Sequence, residues 1–294
     1  MASVPAIPQN SSFHVRSISL PSSAHPLVAR VEEEIKKLED WKTLNASSSP
    51  LTVEAICDGL GGLRDLYDCI QELLHMPLAI HHSKKSADDA LDGSLRLLDM
   101  CSTTRDILLQ MKEHMQSLGS ALRRRGESSI IRSSINAYIS SMKRAKKDIN
   151  KCLYKLKEMD NNKSNSDQQM PTVAMLLRET RVTTISILQA ILSFLSASKS
   201  NPNISKWSLV SRLMHKGQVA CSEEEQKDVN EAWSVDIGLH DLLAAKDGEM
   251  ERAFRLQRRL KAFEVSIERL ECGLESMFRF LIQNRVSLLN TFSQ

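Results

Sequence analysis

Glycine and proline are scarce in this chain, ten and eight among 294 residues, and aromatic residues make up only 4%. Sandwiches and barrels need frequent turn residues and many aromatic or β-branched strand residues. Long uninterrupted helices tolerate the opposite mix. No CxxC pair occurs, and Cys57, Cys69, Cys101, Cys152, Cys221 and Cys272 lie at least twelve residues apart. That spacing suits neither a zinc site nor a disulfide framework, so the thiols are expected to be reduced, behaving inside helical patterns as small apolar groups. The chain opens Met1-Ala2 with no secretory apolar run and no myristoylation glycine, and it closes without a CaaX box. The expectation is a cytoplasmic protein, at most peripheral at a membrane. A net charge of +3 does not by itself call for nucleic acid.

Catalytic patterns are missing as well. "DGLGGLRD" (58–65) is glycine-rich, but no strand precedes it and no GK[ST] follows, so it is not a phosphate loop; close helix approach or a kink would explain its glycines. "HMPLAIHHSKKSADD" (75–89) brings His75, His81 and His82 near Asp88 and Asp89, yet fits no metal signature and reads as a polar turn. With no nucleophile–base set, paired acid and base or ligand cluster, neither enzymatic activity nor a cofactor or metal is expected.

What is present is helical period. Apolar residues alternate at three and four in Val28–Val31–Ile35–Leu38, and in Val53–Ile56–Leu60–Leu63–Tyr67–Ile70–Leu74. Longer seams run from Ala90 through Ser94, Leu97, Cys101 and Thr104 to Leu122, from Ile131 to Met159, and from Ala253 to Leu281. The spacing predicts helices over about 26–44, 52–75, 87–124, 127–159, 171–197 and 249–292, with a shorter one after the Ser222/Glu225 capping box. Ser86 and Asp89 form a similar box before the third helix. The fold class is therefore all-α: an elongated bundle of long antiparallel helices with coiled-coil-like seams, packed within one chain. An extended tail, 1–25, precedes the bundle domain, 26–294, and an exposed linker, 161–169, interrupts it. "VTTISILQAILSFLSAS" (182–198) carries no charge, but its seven hydroxyl and amide side chains suit a helix buried inside the bundle better than a membrane span.

Two stretches point to partners. In the fourth helix Lys143, Lys147, Lys151 and Lys155 stand four apart, flanked by Arg144, Lys146 and Lys157. A basic amphipathic helix fits an anionic lipid surface or an acidic partner, or is simply a solvated face. Nucleic acid is disfavoured, because only Tyr138 and Tyr154 are near and cannot make a stacking platform. In the tail, "FHVRSISLP" (13–21) alternates apolar and basic residues as an extended strap would. Its Arg16, Ser17, Ser19 and Pro21 also resemble the phosphopeptide pattern of 14-3-3 ligands, with Ser19 as phosphosite.

The opening "FHVRSISLPSSAHPLVARVEEEIKKL" (13–38) resembles the start of the plant-specific BYPASS-like proteins. So do "LDGSLRLLDMCSTTRDILLQMKE" (91–113), "ALRRRGES" (121–128) and "RVSLLN" (285–290), each at its own place. The resemblance implies an α-helical plant protein of unestablished biochemical function, linked to root and shoot development, with no catalytic residues. The combined expectation is a non-enzymatic regulator or adaptor. The alternative is a peripheral membrane protein that binds anionic lipid through helix 127–159.

Overall fold

The computed structural model describes residues 25–47, 51–76, 84–124, 128–161, 172–196, 230–244 and 249–292. Every regular element among them is helical: α1 Pro26–Ser47, α2 Val53–Leu74, α3 Lys84–Arg123, α4 Ser128–Asn161, α5 Thr172–Ser196, α6 Glu231–Leu243 and α7 Glu249–Phe292. Pro26 occupies the first turn of α1, where its missing N–H costs nothing, and the His25 carbonyl accepts from the Val28 and Ala29 amides. The Thr52 hydroxyl caps α2 by accepting from the Ala55 amide, and Asn230 caps α6 through the Ala232 amide. α3 begins at Lys84, so Ser86 and Asp89 sit inside its first turns and do not cap it. The Asp89 carboxylate instead pairs with Arg181 of α5, 3.1 Å away. The Ser222/Glu225 box, residues 1–24 of the tail and 162–169 of the linker lie outside the described residues.

The apolar seams meet in one continuous core. Each seam residue named for α1 and α2 is buried, as are Leu97, Cys101, Leu108, Ile135, Ile149, Leu156 and the α7 run from Leu256 to Leu281. Polar contacts set the registers. Pairs Arg105–Glu275, Lys112–Glu271 and Gln116–Glu264 run along α3 and α7 in opposite order, so these helices are antiparallel. Arg30–Glu72 and Trp41–Ala55 give the same relation for α1 and α2, as do Ser266–Glu231 and Arg252–Asp241 for α6 and α7. By contrast, Arg269 pairs with Glu54 and Thr291 donates to the Leu74 carbonyl, so α2 and α7 run in the same direction.

α5 packs against α1, α2, α3 and α4. This explains its uncharged stretch: a helix covered on most sides has little room for charge. Among the described residues no helix is long and apolar enough to cross a membrane. Its hydroxyls are silenced locally, since Thr180, Thr183, Thr184 and Ser186 each donate to a carbonyl one turn back. Because the Thr184 proton is committed to Thr180, Tyr67 must donate to Thr184 Oγ1 across 2.9 Å. Burial pushes the Tyr67 phenol well above its usual range, so this proton stays in place. Tyr67→Phe is expected to lower stability by about 0.5–1.5 kcal/mol without changing the helix content, as read by urea denaturation.

Candidate functional site

α4 buries one face and offers the other. Ile135, Tyr138, Met142, Ala145, Ile149, Cys152 and Leu156 enter the core, against α3 and α5. The opposite face carries Lys143, Arg144, Lys147, Lys151 and Lys155, all exposed. Successive lysines are about 6 Å apart along the axis, less than the Debye length of about 8–10 Å, so their fields overlap. Lys151 pairs with Asp148 at 3.0 Å, and Lys146 leaves the row to meet Asp236 of α6 at 3.2 Å. Among the described residues Lys143, Arg144, Lys147 and Lys155 have no carboxylate partner. Like charges four apart on a helix cost about 0.2–0.5 kcal/mol per pair, so this row is held against local stability.

The packing also restricts what the row can bind. An interfacial helix inserts its apolar face among acyl chains. Here that face is already spent on the core, and Tyr154 is the large apolar side chain left exposed beside the lysines. Contact with a lipid surface through α4 could then be electrostatic only.

The remaining expectations sort by position. Arg16, Ser17, Ser19 and Pro21 lie outside the described residues, as do His81, His82 and Cys221. His75 follows α2, and its ring meets the Gln71 carbonyl at 2.6 Å, which makes it a local contact of the helix end. No group of three or more His, Cys, Asp or Glu among the described residues could hold a metal ion. Burial pushes the thiols of Cys57, Cys69, Cys101 and Cys152 upward, Cys101 to about 12. Cys69, Cys101 and Cys152 are core atoms as expected, whereas Cys272 is exposed, on the outer side of α7.

The glycine stretch resolves into close packing. A Cβ on Gly59 would lie 2.7 Å from the Trp41 ring, and one on Gly62 would lie 2.9 Å from Leu38. The same Trp41 borders a feature that sequence reasoning missed, a cleft of about 580 Å³ between α1 and α5. Leu38, Glu39, Trp41, Glu179 and Val182 line it, with Asp160 from the end of α4. The one hint in the sequence was a tryptophan continuing the α1 seam beyond Leu38.

A protein-family model described as Protein BPS1 matches residues 59–291, from α2 to the last turn of α7. No curated protein and no solved structure matches the chain at a significant level.

Proposed function

The chain belongs to the Protein BPS1 family, and from that premise we propose that it is a non-enzymatic regulatory or adaptor protein of plant root and shoot development, which docks an acidic protein partner. The observation that carries the reading is the row Lys143, Arg144, Lys147, Lys151 and Lys155. It stands on a helix whose other face is fixed in the core, so the charges are presented without a backbone-ordering cost. Long-range attraction from such a row speeds encounter with an acidic surface and favours it over neutral ones. The tail is a second docking element of the same proposal, with phosphorylated Ser19 flanked by Arg16, Ser17 and Pro21 as a ligand for a 14-3-3 protein.

The experiment changes all five α4 cations to Gln. Melting should not fall, because each side chain is exposed and the row repels itself. Affinity for a polyglutamate peptide in low salt should drop at least about tenfold, since each lost charge-assisted contact removes a share of the attraction. Equal affinity of the variant and the wild type, or no binding by either, would remove the proposal. Salt-sensitive co-sedimentation with anionic vesicles, without peptide binding, would replace it by the lipid alternative.

A further inference from the structure

We propose that the cleft between α1 and α5 is a binding site for a small organic cation, an ammonium group carried on a flat apolar body. The cleft is independent of the α4 row, and its volume of about 580 Å³ falls within the range of about 300–1,000 Å³ typical of small-ligand sites.

Its walls divide into two kinds. One is apolar: Leu38, Met175, Val182 and the indole of Trp41. That indole is already placed. Its Nε1 donates to the Ala55 carbonyl at 2.7 Å, and its ring lies against Gly59, so a ligand need not order it. The other kind is charged. Glu39, Asp160 and Glu179 outnumber Lys42 and Arg178 among the lining residues, which leaves the lining net negative.

Glu179 shows where the negative field concentrates. It is half-buried, and after desolvation the strongest influences on it are the carboxylates Glu39 and Glu32 of α1, ahead of Arg178. Together they hold its carboxyl above the usual range. Among the described residues neither Glu39 nor Glu179 has a side-chain ion pair or hydrogen bond. Thr183 and Ser186, which also line the cleft, have spent their protons on their own helix. The open electrostatic demand of the cleft is therefore for a positive charge. A cation seated between Glu39 and Glu179 relieves their repulsion, while its apolar body covers Trp41 and Val182. A cation beside an indole gains further from the ring.

The test is titration calorimetry of the full chain with three probes on one ring system: tryptamine, tryptophol and indole-3-acetate. Tryptamine should bind saturably and about tenfold more tightly than neutral tryptophol, the gain of a charge-assisted contact. Indole-3-acetate should not bind. Glu179→Gln, nearly isosteric, should erase the preference for tryptamine while melting no lower than wild type. Trp41→Phe should weaken tryptamine and tryptophol alike. Changing the five α4 cations to Gln should leave all of these affinities in place. Absence of saturable tryptamine binding would overturn the proposal. So would equal affinity for the three probes, or a Glu179→Gln variant that keeps the preference.

Discussion

Leu274→Asp is expected to abolish the cooperative thermal transition of this protein, a loss of about 4–5 kcal/mol or more against a total of about 5–15 kcal/mol for an ordinary domain. Leu274 is 0% exposed, near the middle of α7, between the helices that flank it. On one side, its carbonyl accepts the Cys101 thiol of α3 at 3.7 Å. On the other, the neighbouring Gly273 touches Leu60 of α2 so closely that an added Cβ would lie 2.6 Å from it. Arg105, the cation that acts on the Cys101 thiol, is already paired with Glu275 at 2.8 Å, so a new carboxylate must either compete for it, ionise unpaired or take up a proton, and each route destabilises the fold. Val286→Asp supplies the control. Val286 is 50% exposed on the same helix, and its change should stay within about 0.5 kcal/mol. Circular dichroism and thermal melting read both variants. A Leu274→Asp protein that melts like wild type would show that α7 does not close the core.

Two glycines, two residues apart, should respond to alanine with opposite signs. In a helix, Gly→Ala gains about 1 kcal/mol from backbone entropy. At Gly61 nothing lies within 4 Å of the new methyl, so the gain should appear whole and the melting temperature should rise. At Gly59 the methyl would meet three atoms of the Trp41 ring, the nearest at 2.7 Å. The ring cannot swing aside without losing the 2.7 Å bond from its Nε1 to Ala55. Overpacking of this kind costs about 1–3 kcal/mol, enough to outweigh the propensity gain. Denaturation of the two single variants decides the matter. If both rise, α1 and α2 are not in close contact at this point.

These cases show which parts of the architecture were legible in the residues. The three–four alternation names a buried face, and all seven α2 residues that the spacing predicts, from Val53 to Leu74, are buried; Gly59, Leu66, Cys69 and Leu73 join them because α2 is covered on more than one side. The basic row on α4 was equally legible, because it is the complement of a seam. The seam is silent about what covers it. That α2 lies parallel to α7 follows from Glu54–Arg269 and Thr291–Leu74, contacts between residues more than two hundred positions apart. The role of Asp89 was hidden for the same reason, since its carboxylate meets Arg181 of α5, ninety-two positions away, and not its own helix end. The cleft is less legible still. Its lining comes from three helices, and no one of them carries a pattern that announces a ligand.

The parallel lie of α2 and α7 has a consequence for biosynthesis. Glu54 and Arg269 are 215 residues apart along the chain, and Leu91 and Arg285 are 194 apart. At a translation rate of about 5–20 residues per second, roughly 10–40 seconds separate the synthesis of α2 and α3 from that of the helix that covers them. Through that interval the part of their apolar surface that α7 covers lacks its partner, while α1, α4 and α5 can already pack on the rest. The surface beneath α7 is thus the last part of the core to be closed, and a chain halted before residue 249 leaves it exposed, the condition under which aggregation competes with folding.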